Sequence, residues 1–232
     1  MIFNELSNNQ KKFIKSLKQS KSFRYKNKRF FIEGFRSVCE ALNSDYKIDY
    51  IVVSKPFLNR FGDDFNQQVV SIRPDVKIFQ ATRQIYDEIS DTVTPQGIMA
   101  VVEMKSFSNY TFLKKDFLIV ALDMLADPGN MGTVIRTADA AAADAVIAGK
   151  GCVDVYNSKV LRSTMGSIFH LPIIFSDDLV STLLYLKGQG GKVVTTHLDA
   201  NRYYSEIDLT GPTILVMGKE DEGVSKEVSD IS

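Results

Sequence analysis

The sequence has few of the residues that mark secreted, metal-binding and membrane proteins. Its 232 residues include only two cysteines, Cys39 and Cys152, and neither belongs to a Cys-x-x-Cys pair. This spacing supports neither a disulfide framework nor a zinc site, and it is typical of a reducing compartment. No uninterrupted apolar run reaches about 18 residues, and Met1 is followed by polar residues rather than by an apolar signal segment. We therefore expect a cytoplasmic protein that neither enters a membrane nor binds a metal.

The chain also lacks a net charge, because 28 basic residues balance 28 acidic ones. The charges are nevertheless unevenly spread, since nine basic residues and no acidic one lie between Lys11 and Arg29. Four aromatic residues are interleaved with them: Phe13, Phe23, Tyr25 and Phe30. Basic side chains pair with phosphates while rings stack on exposed bases, so the segment indicates contact with nucleic acid. A solvated helix followed by a loop is the alternative explanation.

Short apolar runs recur along the chain and predict the fold class. They occupy residues 50–53, 76–79, 98–102, 117–122, 145–148, 171–175, 193–196 and 214–217. Stretches with helical periodicity separate most of them, and the later runs show little polar alternation, as in parallel strands covered on both faces. The sequence therefore predicts an α/β protein. A polar stretch near residues 105–115 divides it into a small α/β unit, residues 1–108, and a larger doubly wound unit, residues 114–232.

The first informative motif is a strand, a turn and a helix that begin at residues 122–132. Proline, glycine and asparagine shape a tight connection at the carboxyl end of the strand, where open α/β sheets bind ligands. Three apolar residues share one side of the helix: Val134, Ala138 and Ala141. Arg136 lies about 200° from Val134 and so points away from that side. Two simpler interpretations stay open. Arg136 pairs with Asp139 on a solvated face in the first, and Asn130 only caps the helix in the second.

The second motif, residues 214–225, comes close to a phosphate-binding loop. Gly218 and Gly223 have the right separation, but Val224 stands where such a loop requires lysine. This substitution argues against an NTPase, and the absence of G-x-G-x-x-G argues against a dinucleotide-dependent oxidoreductase. Carboxylates in the loop would accept hydrogen bonds from ribose hydroxyls or an ammonium group, although a simple charged turn is the alternative.

A third stretch, residues 158–169, is predicted to be a helix with Gly166 in its interior. An interior glycine costs roughly 1 kcal/mol relative to alanine, which suggests close approach of another backbone at that position. His170 and His197 have no carboxylate or cysteine at ligand spacing, so we expect ordinary packing or surface roles for both.

In this order, the three stretches resemble the SpoU (TrmH-like) branch of the SPOUT RNA methyltransferases, which methylate ribose 2′-oxygens in transfer and ribosomal RNA. Residues 127–136 are similar to the first motif of that family, residues 218–223 to its second, and residues 162–166 to the helix between them. Upstream, residues 31–38 and 94–98 resemble the small ribosomal-protein-like domain that precedes the catalytic domain. The resemblance implies S-adenosylmethionine as cofactor, RNA as partner, a homodimer, and a trefoil knot in the catalytic domain.

The resemblance also implies roles for individual residues. Arg136, Asn130 and Glu220 would form the catalytic site, with Arg136 stabilising developing oxyanion charge because arginine is very hard to deprotonate. Gly218 would contact the cofactor together with Leu215, Met217 and Thr196, and a bulky residue at position 218 would obstruct the cofactor. The expected RNA contacts are Lys21, Arg24, Lys28, Arg29, Arg36, Arg162 and Thr164.

Two departures from the family pattern bear on this interpretation. Lys219 and Asp221 stand where the family more often has small residues. The sequence also stops at Ser232, before the third motif, which in the family supplies a serine and asparagine pair and the helix that completes the knot. We therefore expect either a shortened chain or an incomplete cofactor pocket. An RNA-binding protein of the same fold without catalysis is the alternative function.

Overall fold

The computed structural model describes residues 3–107, 110, 113–197, 200 and 202–232. Contacts between Cα atoms group the chain into two compact units. One comprises Met1–Lys105 with Asp154–Phe169, and the other comprises Ser106–Val153 with His170–Ser232. The division into residues 1–108 and 114–232 remains a prediction; the contact grouping assigns residues 154–169 to the first unit.

The first unit contains a five-stranded sheet flanked by short helices. Its elements are β1 (Asn4–Glu5), α1 (Asn8–Gln19), α2 (Lys21–Asn27), β2 (Arg29–Glu33), α3 (Phe35–Asn43), β3 (Ile48–Ser54), α4 (Lys55–Phe65), a π-helical turn (Asn66–Val70), β4 (Ile78–Ala81), α5 (Arg83–Ile89) and β5 (Ile98–Glu103). The strand order is β1-β4-β3-β5-β2, and β5 runs antiparallel to both of its neighbours. Helix α1 begins at a capping box between Ser7 and Gln10, and it buries Ile14 and Leu17 in the core.

The second unit is built on a five-stranded parallel sheet. Its elements are β6 (Leu118–Leu122), α6 (Pro128–Ala140), β7 (Ala145–Gly149), β8 (Ile173–Ser176), α8 (Leu179–Gly188), β9 (Lys192–Thr195), β10 (Thr213–Met217) and α9 (Lys226–Ser229). Helix α7 (Ser158–Ser163) lies between β7 and β8 in the sequence but groups with the first unit. The order β8-β7-β6-β10-β9 places β6 beside β10. Each strand buries apolar residues, because helices cover a parallel sheet. The predicted α/β class is confirmed; the knot remains a prediction.

Two predictions of local structure are wrong. Residues 29–33 form a strand paired with β5, so Phe30 is fully buried and is not available to stack on a base. The helix predicted over residues 158–169 ends at Ser163, and Met165 and Gly166 follow with φ of 55° and 102°. A Cβ atom at Gly166 would lie 2.5 Å from Cγ of Glu40. The close approach at this glycine therefore comes from a side chain at a turn, not from a backbone at a helix interior.

Helix α6 differs from its prediction in the details of its faces. Its buried residues are Met131, Gly132, Ile135 and Ala138, whereas Val134 is only half-buried. The N-cap is Asp127, whose carboxylate accepts a hydrogen bond from the backbone N–H of Asn130, so the reading of Asn130 as the cap is wrong. Arg136 is exposed, as the periodicity predicts.

No helix within the described residues is both long and apolar enough to cross a membrane. The same residues contain no group of three or more histidine, cysteine, aspartate or glutamate side chains that could hold a metal ion.

Candidate active site

A cavity of about 470 Å³ opens in the second unit beyond the carboxyl ends of neighbouring strands. The connections after β6 and β10 meet there because the two strands are adjacent and parallel. Five of the residues that the sequence analysis assigned to catalysis or cofactor binding line this cavity: Asn130, Thr196, Met217, Gly218 and Glu220. Leu215 is half-buried within β10 and is not among the lining residues, and neither is Arg136.

One hydrogen bond joins the two motifs across the cavity. Nδ2 of Asn130 donates to Oε1 of Glu220 over 2.6 Å, although the two residues are 90 positions apart in the sequence. The bond fixes the amide of Asn130 in the first turn of α6 and leaves the second carboxylate oxygen of Glu220 able to accept a further bond. The pair thus presents an oriented amide and a carboxylate to whatever occupies the cavity.

The loop after β10 closes on itself through its own backbone. The backbone groups of Lys219 and Gly223 exchange two hydrogen bonds of 2.8 and 2.9 Å. A Cβ atom at Gly218 would lie 2.0 Å from both the carbonyl carbon and oxygen of Gly223. Gly218 is therefore required by the loop itself, and a larger residue there collides with the protein backbone before it meets a ligand.

The two residues that depart from the family pattern neutralise one another within this loop. Nζ of Lys219 lies 2.9 Å from Oε1 of Glu222 and 3.6 Å from Oδ1 of Asp221. The hydrogen bond to Glu222 and the nearby carboxylates raise the pKa of Lys219. The lysine charge is thus directed at the loop's own carboxylates.

Asp123 is a structural residue of the site that the sequence analysis did not identify. Its carboxylate is buried and accepts a 2.7 Å hydrogen bond from the backbone N–H of Ser225, while its own N–H donates to the carbonyl of Met217. These bonds hold the connection after β6 to the loop after β10. The sequence did contain one signal for this role, namely the position of Asp123 directly after a buried strand, where a carboxylate needs a hydrogen-bond partner.

Arg136 lies on the exposed face of α6 and forms no ion pair with any residue that the structure describes. The alternative in which it pairs with Asp139 is wrong, because Oδ2 of Asp139 lies 2.8 Å from Nδ1 of His170. The guanidinium is therefore available for a ligand that approaches α6 from solvent.

The residues expected to contact RNA fall into three groups. Arg24 and Thr164 are buried, so the predicted contacts are wrong for both: Arg24 pairs with Asp154 at 2.5 Å, and the hydroxyl of Thr164 donates to a backbone carbonyl. Arg29 and Arg162 are already engaged in ion pairs, at 2.5 Å to Asp49 and at 2.7 Å to Asp91. Lys21, Lys28 and Arg36 are exposed, although Nε of Arg36 also lies 3.9 Å from Oε1 of Glu40.

Carboxylates also neutralise much of the basic segment between Lys11 and Arg29. Lys11 and Lys15 both contact Glu88, at 2.5 and 3.0 Å, and Lys18 lies 3.5 Å from Asp91. These acidic partners lie more than 70 residues away in the sequence, so the segment is less cationic in the folded unit than its composition indicates.

Comparison with known proteins identifies two families along the chain. Residues 117–232 match the SpoU rRNA Methylase family, and residues 8–100 match the MRM3-like substrate binding domain. The 23S rRNA (guanosine(2553)-2′-O)-methyltransferase RlmP of Bacillus subtilis is 36% identical over 95% of this chain and 83% of its own length. The mitochondrial rRNA methyltransferase 3A of Danio rerio is also 36% identical, over 69% of this chain but only 37% of its own length.

Solved structures agree with these similarities. The AdoMet-bound rRNA methyltransferase from Sinorhizobium meliloti aligns with a TM-score of 0.81 and 29% identity, over 98% of this chain and 84% of that one. The SpoU methyltransferase AviRb from Streptomyces viridochromogenes, in complex with AdoMet, aligns with a TM-score of 0.84 over 97% of this chain and 86% of its own. Its 23% identity supports the fold alone.

Proposed function

Because the chain belongs to the SpoU rRNA methylase family, we propose that it transfers the methyl group of S-adenosylmethionine to a ribose 2′-hydroxyl of ribosomal RNA. The observation that carries this proposal is the cavity at the carboxyl ends of β6 and β10, where the Asn130–Glu220 pair lies. The relative from Sinorhizobium meliloti, which aligns over nearly the whole chain, is described as AdoMet bound.

The residues present suit S-adenosylmethionine. A volume of about 470 Å³ lies within the range of roughly 300–1,000 Å³ that small-ligand sites occupy. Leu125, Val134 and Met217 offer apolar surface for an adenine ring, and the carboxylate of Glu220 can accept from ribose hydroxyls or an ammonium group. Bound there, the cofactor supplies a methyl group on an already activated sulfonium, so this chain's task is positioning.

Arg136 is the residue to which we assign the greatest role in the reaction. Its exposed guanidinium has no ion-pair partner in the described part of the chain, so it can meet the RNA phosphate beside the target ribose. A fixed positive charge there stabilises negative charge that develops on the 2′-oxygen. Asn130, oriented by Glu220, holds the first turn of α6 in place against the cofactor loop.

Several finer features belong to the same proposal and rest on the family resemblance. We propose that the protein acts as a homodimer in the cytoplasm, that its catalytic domain is knotted, and that residues 1–108 and 114–232 divide substrate binding from catalysis. An RNA-binding protein without catalysis is not favoured, since the curated relatives are named as methyltransferases.

The proposal is tested by incubating the purified protein with unmodified ribosomal RNA and S-adenosylmethionine that carries a labelled methyl group. We expect 2′-O-methylated nucleosides after digestion, measured by mass spectrometry. Arg136→Ala should lower the transfer rate a hundredfold or more without changing the thermal midpoint, whereas removal of another exposed cation by Lys150→Ala should leave the rate unchanged. Label on a base, or none on RNA, would refute the proposed reaction. Near-normal transfer by Arg136→Ala would refute the role of this arginine.

A further inference from the structure

The first unit contains a cleft of about 710 Å³ that the proposed reaction does not use. Helix α4 and the start of α5 form two of its sides, and residues 92–97, which precede β5, form a third. Its volume falls in the range of small-ligand sites, roughly 300–1,000 Å³. The cleft therefore has room for a nucleotide-sized group.

Two arginines line the cleft and make it cationic. Arg60 is exposed and has no carboxylate partner in the part of the chain that the structure describes. The side chain of Arg83 is 81% exposed and lies 3.6 Å from Asp87, the one carboxylate among the described lining residues. This balance leaves a net positive charge, which favours an anionic ligand.

Aromatic rings extend one wall of the cleft and support the Arg60 side chain. The guanidinium carbon of Arg60 lies 4.9 Å from the centroid of the Phe61 ring. Phe61 in turn stacks on Phe35 at 6.3 Å and contacts Phe57 at 5.4 Å. A planar cation supported by a ring offers both a charge and a flat surface, and unpaired RNA bases stack on both arginine planes and aromatic faces.

Residues 92–97, which form the third side of the cleft, are held by hydrogen bonds to residues 31–38. Oε1 of Gln96 accepts a 2.8 Å hydrogen bond from the backbone N–H of Phe35. The carboxylate of Glu33 accepts from the hydroxyl of Thr92 at 3.1 Å and from the backbone N–H of Asp91 at 3.1 Å. A Cβ atom at Gly97, where φ is 95°, would lie 2.2 Å from Oγ of Ser54. This third side is therefore held by specific bonds and by a required glycine, as expected for a preformed binding site.

We propose that this cleft binds an unpaired nucleotide of the substrate RNA, with its phosphate on Arg60 and Arg83 and its base against the Arg60–Phe61 stack. The inference rests on the proposed function for the identity of the RNA as the methylation substrate. The proposal also gives a function to residues 31–38 and 94–98, which have no part in the proposed methyl transfer.

The test measures binding of a fluorescein-labelled single-stranded 12-nucleotide RNA to the full chain by anisotropy, over a series of potassium chloride concentrations. Arg60→Gln with Arg83→Gln should weaken binding about tenfold or more. Since each phosphate neutralised on a single strand contributes about 0.7 to the salt slope, loss of the one phosphate that both arginines hold should lower the slope by about 0.7. Arg73→Gln is the matched control, because Arg73 lies outside the cleft and pairs with Asp75 as Arg83 pairs with Asp87.

A second variant tests the cleft without removing an arginine. The Val93 side chain is fully exposed at the edge of the cleft, so Val93→Glu adds repulsion of a phosphate without disturbing the core. It should also weaken binding. All of these variants should keep the thermal midpoint and the affinity for S-adenosylmethionine, measured by calorimetry.

The proposal is overturned if the double variant and Val93→Glu bind the single strand as tightly as Arg73→Gln does. It is also overturned if a 12-base-pair duplex loses as much affinity as the single strand, because that result assigns the cleft to duplex phosphates. Cleft-dependent binding by a wild-type protein that transfers no methyl group would support the cleft and refute the proposed function. Normal transfer by the wild-type protein, combined with unchanged binding by the cleft variants, would support the proposed function and refute the proposed role of the cleft.

Discussion

The Arg24–Asp154 ion pair gives the sharpest test of how the first unit is assembled. Both side chains are less than one-tenth exposed, and two nitrogens of Arg24 donate to Oδ2 of Asp154 at 2.5 and 3.1 Å. The other carboxylate oxygen accepts from the Tyr25 hydroxyl at 3.0 Å and from the Tyr156 N–H at 3.1 Å. The perturbation is Asp154→Ala, which removes all four bonds at once.

The size of the effect follows from what remains after the substitution. The Arg24 guanidinium keeps its 2.6 Å bond to the carbonyl of Leu17 but loses its counter-charge in a buried place. Removal of one partner of a buried pair typically costs about 3–5 kcal/mol. At about 2–4 °C per kcal/mol for a chain of this length, the thermal midpoint should fall by roughly 6–20 °C.

The assay is thermal unfolding followed by circular dichroism, with Asp75→Ala as the control. Asp75 pairs with Arg73 at the surface, where an ion pair contributes under about 1 kcal/mol. The double variant Arg24→Met with Asp154→Leu should recover much of the loss, because it removes the unpaired charge as well. If Asp154→Ala lowers the midpoint no more than Asp75→Ala does, the pair is not buried as described and the reasoning fails.

Two further predictions concern the cofactor loop and the dependence of stability on pH. Gly218→Ala should abolish binding of S-adenosylmethionine in calorimetry, because the loop must open to admit the added Cβ atom. Gly188→Ala is the control and should bind normally, since a Cβ atom there meets nothing within 4 Å. Normal binding by both variants would contradict the close approach of Gly218 to Gly223. Burial alone would raise the pKa of Asp91, but hydrogen bonds from Ser158 and Arg162 hold it below its usual value. Its ionised form therefore stabilises the fold above about pH 4, and this contribution disappears as the pH falls through the lowered pKa. The difference in midpoint between wild type and Asp91→Asn should accordingly shrink as the pH falls below about 4, and a constant difference would contradict the assignment.

The strands were the most predictable part of the fold. All eight predicted apolar runs overlap a strand. In the parallel sheet of the second unit, continuous burial on both faces leaves a strong local signal. Strand β2 was missed because only Phe30, Phe31 and Ile32 separate its charged ends. Its burial depends on pairing with β5, about 70 residues later, which no local pattern records.

The candidate site was partly predictable for a similar reason. Asn130 and Glu220 each follow a buried strand, so parallel neighbours bring them to one edge of the sheet. The resemblance, rather than periodicity, assigned their roles. The burial of Arg24 could not be predicted, because its partner Asp154 lies 130 residues away and belongs by sequence to a different predicted domain. Basic composition indicates charge, but only the fold shows which charges are already neutralised.

The grouping of residues 154–169 with the first unit limits how this protein can be divided or recombined. The chain passes from one unit to the other after residues 105, 153 and 169, so a single cut does not release an intact first unit. A fragment that ends at Lys105 lacks Asp154 and therefore the counter-charge of Arg24. A chimera with a relative has to exchange both stretches together. In evolutionary terms, the two units are expected to be inherited as a pair rather than shuffled as independent modules.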